Sequence, residues 1–206
     1  MSSSSAAATS APAAARTPHD EPTFGHATTG KVGMWIFLIT DAMTFGGLLI
    51  GYGILRAGNT QWPTPSSILG IKFTAFMTFV LIVSSLTMVM GLDWAKKGNK
   101  KLAARWLFLT AGGGAFFLCG QVYEYRHLIH EGFTLQAGNF PATFYVVTSF
   151  HGAHVFTGVC YLLVTALGVL RGKFLDRGAN FVEITGLFWH FVDLIWILVF
   201  TFVYLI

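Results

Sequence analysis

Residues 186–205 read GLFWHFVDLIWILVFTFVYL, twenty consecutive positions in which one histidine and one aspartate interrupt an otherwise apolar and aromatic run. A helix rises about 1.5 Å per residue, so a run of this length crosses a hydrocarbon core roughly 30 Å thick. Four more stretches of the same character precede it, and the full set of expected spans is 32–55, 68–94, 102–128, 141–170 and 181–206. The connections between them, RAGNTQWPTPSS, AKKGNKK, IHEGFTLQAGNF and RGKFLDRGAN, are short and supply Gly, Pro or Asn where the chain must turn. The expected fold is therefore all-α: a polytopic membrane protein with five transmembrane helices in one bundle over residues 31–206.

Composition leads to the same class. Of 206 residues, 54% are hydrophobic and 11% charged, a balance too apolar for a soluble domain of this length. The 20 Phe and 23 Gly suit helices packed closely in lipid, where small residues let backbones approach and aromatic rings fill the gaps. On the first span, Gly47 and Gly51 form such a close-packing pair. Residues 1–30 are different, rich in Ser, Ala, Thr and Pro, and they read as a disordered tail without the apolar run of a secretory signal. Cys119 and Cys160 lie in hydrophobic stretches without CxxC spacing and read as small core residues.

Charge sets the orientation. Arg16, Lys31, Lys96, Lys97, Lys100, Lys101, Arg105, Arg171, Lys173 and Arg177 fall on the side of the tail and of the second and fourth loops, against Arg56, Lys72 and Arg126 on the other. The positive-inside tendency places the N-terminus in the cytoplasm and the C-terminus outside. The net charge of +4 is thereby accounted for as a topology signal, with no nucleic-acid partner implied.

Ionisable side chains at bilayer depth cost at least a few kcal/mol, so each is a functional candidate. Asp41 lies ten residues past Lys31, about 15 Å along the helix and near mid-membrane. His151 and His154 share a face of the fourth span, as do His190 and Asp193 on the fifth. Glu124 lies near the outer end of the third span and Glu183 near the inner end of the fifth. Three readings stand side by side. The histidines and a carboxylate form a metal site, although paired Glu-x-x-His helices are missing. The pairs His190 with Asp193 and His151 with His154 hydrogen-bond helices together. The acids carry protons through a wetted cavity, with Asp41 hydrogen-bonded to Thr78, Ser84, Ser85 or Thr87 of the second span.

The order and spacing of MWIFLITDAMTFGG (34–47), QVYEYRHL (121–128), SFHGAHVFTGV (149–159) and GLFWHFVDLIWILVFTFVYL (186–205) resemble subunit III of the haem-copper respiratory oxidases, in its short five-helix bacterial form. The resemblance covers about residues 30–206. It implies a non-catalytic subunit of a bacterial cytoplasmic-membrane complex, with no redox centre or metal of its own. Haem and copper belong to partner subunits, subunit I is the direct neighbour, and subunits II and IV join the same assembly. Cytochrome c or a quinol donates electrons to the complex. The resemblance further implies bound phospholipid and a contribution to complex stability and proton uptake. Carried over by position, Asp41, His151, His154, Arg171 and Glu183 become candidates for lipid binding or proton supply, with Arg171 as a phosphate contact. Glu124, His190 and Asp193 become interhelical polar contacts. The leading reading is an aa3-type cytochrome c oxidase subunit III supporting oxygen reduction and proton pumping by subunit I. The alternatives are the same subunit of a quinol oxidase, a related accessory subunit of nitric oxide reductase, and an independent transporter using Asp41, His154 and His190.

Overall fold

A computed structural model of the chain describes residues 28–60, 62–64, 69–174 and 179–206. The Ser- and Ala-rich segment lies, up to residue 27, outside the described residues, as do Arg16 and Arg177. Five helices follow in order: α1 (Thr29–Ala57), α2 (Ile71–Lys96), α3 (Lys100–His130), α4 (Asn139–Leu170) and α5 (Asn180–Phe200), the last running into a π-helical turn, Thr201–Leu205. All five are long and apolar enough to cross a membrane, and no strand occurs among the described residues. The chain is a multi-pass membrane protein. Each expected span matches its helix to within three residues at either end when the π-helical turn is counted with α5.

The helices run alternately up and down because their connections are too short for any other path. Between α2 and α3 only residues 97–99 intervene. Gly98 takes φ +76° there, a left-handed conformation that favours glycine, and the Asn99 side chain accepts the Leu102 N–H at 3.2 Å to start α3. The first and fifth helices consequently run parallel. Thr28 and Asn180 hydrogen-bond at one end, while Arg56 hydrogen-bonds the Ile206 carbonyl at the other.

α2, α3, α4 and α5 make the core, and Trp189 of α5 is its key. Its indole is buried and donates Nε1–H to Ser84 Oγ of α2 at 3.1 Å. The same ring lies over Gly114 of α3 and Gly158 of α4, where a Cβ at Gly158 would sit 3.0 Å from it. Gly120 of α3 likewise admits the Met77 side chain of α2. Small residues thus set how closely the helices approach, and dispersion between fitted surfaces holds them, because lipid supplies little hydrophobic drive between helices.

α1 stands apart on the rim. It is the least buried of the five and packs mainly on α5 and α4. Gly47 and Gly51 do not form a close-packing pair within this chain, since a Cβ at either would meet nothing within 4 Å. Cys119 and Cys160 are exposed and not core residues, an outcome lipid tolerates because a thiol behaves as a small hydrophobe.

Glycine contact geometry yields a direct test. Gly114→Ala drives a methyl group into the Trp189 ring and lies 2.7 Å from Val159 Cγ2, so it should destabilise the detergent-solubilised chain by about 1–3 kcal/mol. Gly47→Ala, where a Cβ meets nothing within 4 Å, should leave the melting temperature unchanged. Thermal unfolding of both variants checks the pair, and equal behaviour would contradict this packing.

Candidate functional site: a polar layer within the bundle

The intramembrane polar residues fall into three groups at different positions in the bundle. The first joins the rim helix to α4. His154 Nε2 stands 3.2 Å from Asp41 Oδ1, and both side chains are largely buried. The other ring nitrogen, Nδ1, lies 2.8 Å from the Phe150 carbonyl one turn earlier. A carbonyl only accepts, so Nδ1 carries a proton, and the contact between Nε2 and Oδ1 holds one further proton on either atom. Phe45 and Phe150 pack on the imidazole, with ring centroids 5.2 Å and 4.8 Å away. Water is thereby kept from one face of the pair. Asp41 Oδ2 is buried without a hydrogen-bond partner among the described residues. The partner of Asp41 is therefore on α4, and not a hydroxyl of α2 as one reading of the sequence expected.

The second group joins α2 to α5. Ser85 Oγ donates to Asp193 Oδ2 at 2.7 Å, and His190 Nδ1 lies 3.1 Å from the same hydroxyl. Since the single Ser85 proton goes to the carboxylate, His190 Nδ1–H is the donor to Ser85. His190 and Asp193 do not bond one another; a serine on the neighbouring helix joins them. Two indoles flank this layer, Trp189 bonded to Ser84 and Trp196 donating to Thr78 Oγ1 at 2.8 Å. Three of the hydroxyls of α2, those of Ser85, Ser84 and Thr78, are thus taken up by α5.

His151 sits between these groups with no polar partner among the described residues. It is fully buried, and its ring is 4.9 Å from the Trp196 ring, 5.8 Å from Phe117 and 6.2 Å from Phe45. Both of its nitrogens lack a hydrogen bond among the described residues. The pairing of His151 with His154 does not occur, because consecutive turns of α4 turn one ring into the core and the other towards α1.

The third group lies near the other end of α3. Glu124 is buried and accepts from Thr74 of α2 at 3.0 Å and from Tyr204 at 2.9 Å. Tyr204 belongs to the π-helical turn after α5, whose wider winding carries its hydroxyl to the carboxyl. One helical turn from Glu124, Gln121 Nε2 donates to the Thr148 carbonyl at 2.7 Å, with Tyr125 and Thr148 hydroxyls 2.6 Å apart beside it.

Of the remaining candidates, Glu183 pairs with Lys31 at 2.9 Å, which ties the starts of α5 and α1. Arg171 caps the end of α4 and is exposed. No group of three or more His, Cys, Asp or Glu converges as metal ligands among the described residues. The geometry instead brings each acid against a residue of another helix. Thr74 and Tyr204 were not singled out by sequence as partners, and Ser85 was offered to Asp41 and not to Asp193, although depth held a signal for that pairing. Ser85 lies eleven residues from the end of α2 and Asp193 thirteen from the start of α5, which places both about 17–20 Å from the same end of the bundle.

Between α1 and α5 a groove of ≈ 360 Å³ opens, lined by Trp35, Leu38 and Ala42 on one side and Leu187, His190 and Leu194 on the other. Its wall is almost wholly apolar, and His190 is the one titratable residue in it. A hydrocarbon chain is the chemistry this surface suits.

Comparison with known proteins assigns the scaffold. The family model described as cytochrome c oxidase subunit III matches residues 17–206. A probable cytochrome c oxidase subunit 3 of Nocardia farcinica is 38% identical over 177 residues, covering 85% of this chain and 87% of its own. The cytochrome c oxidase subunit 3 of Corynebacterium diphtheriae is 36% identical, with 85% and 87% covered, and that of Thermostichus vulcanus is 36% identical, with 91% and 90% covered. With matches across all five helices and nearly the full length of these relatives, the chain belongs to the cytochrome c oxidase subunit III family.

Proposed function

We propose that the chain is the non-catalytic subunit III of an aa3-type cytochrome c oxidase in an aerobic respiratory chain of a bacterial cytoplasmic membrane. It docks directly on a haem- and copper-bearing subunit I, with subunit II and subunit IV in the same complex, and carries no redox centre itself. Its N-terminus is cytoplasmic and its C-terminus periplasmic. It supports oxygen reduction and proton pumping by stabilising the complex, holding phospholipid and aiding proton uptake.

The observation that carries the reading is the Asp41–His154 pair, which joins the acid of the first motif to a histidine of the third across two helices. A chain whose buried acids are bonded to its own helices is built as a scaffold, and chemistry at a metal would need those ligands turned towards one point. The apolar groove between α1 and α5 supports a lipid-holding role, with an acyl chain lying past Leu38 and Leu194. Arg171, exposed at the end of α4, is a cation that a lipid phosphate would meet. The relatives whose names specify cytochrome c oxidase favour cytochrome c over a quinol as the donor to the complex.

Gentle purification of the complex from its native membrane tests the assignment. Haem absorbance should co-elute with this chain and stay with other chains once it is dissociated; a chain that elutes without haem-bearing partners would refute it. Within the intact complex, Asp41→Ala should leave haem content unchanged while oxygen reduction decays faster during sustained turnover. Asp41 supplies one side of a buried pair, so an unaltered turnover lifetime would remove the supporting role from this residue.

A further inference from the structure

The basic end of the bundle holds more cation than its acids balance. Asp93 and Glu183 are the acids at that end among the described residues, and each is already taken, by Lys97 at 2.6 Å and Lys31 at 2.9 Å. Lys96, Lys100, Lys101, Arg105, Arg171 and Lys173 have no ion pair among the described residues. Most of these lie at helix ends or in loops, where water solvates them. Arg105 is different.

Arg105 lies five residues inside α3, roughly 7–8 Å along its axis from the first turn. Trp106 beside it and Trp94 on α2 mark the level where amphipathic rings settle, between headgroups and hydrocarbon. Trp106 is braced from behind: a Cβ at Gly91 of α2 would stand 3.5 Å from its Cβ. A groove of ≈ 530 Å³ lies against Leu102, Arg105, Trp106, Phe108 and Leu109. Its floor is mostly apolar, and Leu109, one turn deeper than Arg105, is 56% exposed. Lys101 is four residues before Arg105 and therefore on the same face of the helix.

We propose that this groove on α3 is a binding site for one anionic glycerophospholipid of the surrounding bilayer. The Arg105 guanidinium, with Lys101 above it, holds the phosphate, and an acyl chain lies along Phe108 and Leu109. The occupant follows from the order of the chemistry along the helix. A cation pair without an acid stands at headgroup level, and a bare apolar strip continues from it only in the direction of the hydrocarbon. A lipid presents phosphate and chain in that order, and a planar guanidinium takes two phosphate oxygens at once. The site is separate from the groove between α1 and α5 and from Arg171 on α4, and it depends only on the chain spanning a membrane.

Native mass spectrometry of the complex that the full chain forms, purified in mild detergent and titrated with phosphatidylglycerol or phosphatidylcholine, tests it. Phosphatidylglycerol should be retained in preference to phosphatidylcholine. Arg105→Ala should lower its occupancy about fivefold, the scale of one lost basic contact, with Arg105→Lys in between. Lys96→Ala, at the same end but away from the groove, should leave occupancy unchanged. The proposal is overturned by equal retention of the two lipids, or by an equal loss in Lys96→Ala, which would mean diffuse attraction. Loss in Arg171→Ala with none in Arg105→Ala would move the lipid to α4 and overturn it too. So would a cross-link from Lys101 to an acidic residue of another protein chain, which would make the face a protein interface.

Discussion

A bilayer interior offers a buried polar side chain no water, so the acids, imidazoles and indoles placed there are held by partners on other helices, with His151 the exception among the described residues. The arrangement of this bundle follows from that constraint. Asp193 and His190 meet at Ser85, Trp189 and Trp196 reach Ser84 and Thr78, and Glu124 lies between Thr74 and Tyr204. Each of these contacts fixes both depth and rotation of one helix against another, which non-directional packing of Leu, Val and Phe leaves loose. The small residues at Gly114, Gly120 and Gly158 then allow the approach that the hydrogen bonds require.

α1 shows the constraint most clearly because it has the least packing to rely on. Lys31 with Glu183 holds its start, Arg56 with the Ile206 carbonyl holds its end, and Asp41 with His154 holds its middle. The outer contacts lie where headgroups and water weaken them. The middle pair is the one that lipid cannot compete with, and its loss would leave a carboxyl and an imidazole stranded at depth. A rim helix secured in this way forms one wall of the apolar groove between α1 and α5.

Much of this was legible in the residues. Length and hydropathy located all five helices, because a span's extent is dictated by membrane thickness and is written locally in the chain. The motifs around Asp41, His151 and Asp193 pointed to the family for a similar reason, since order and spacing are one-dimensional facts. Partners were harder. Asp41 found His154 across the bundle, while Ser84, Ser85 and Thr78 of α2 went to α5 and Thr87 to α3, because the rotation of each helix about its axis is a property of the assembled bundle. His151 and His154, three residues apart, diverged into different surroundings for the same cause. Gly47 and Gly51 looked like a packing pair, yet no helix of this chain covers them. Exposure of Cys119 and Cys160 was hidden too, since lipid and protein core draw the same apolar residues.

The intramembrane acids act by bonding one helix to another, with Asp41 and His154 as the pair on which α1 depends. A double-mutant cycle with Asp41→Asn and His154→Leu, read as the unfolding free energy of the purified chain in detergent, measures that coupling directly. A coupling of about 1 kcal/mol or more is predicted, within the range measured for interhelical hydrogen bonds in membranes. Additivity of the two substitutions to within about 0.3 kcal/mol would contradict it.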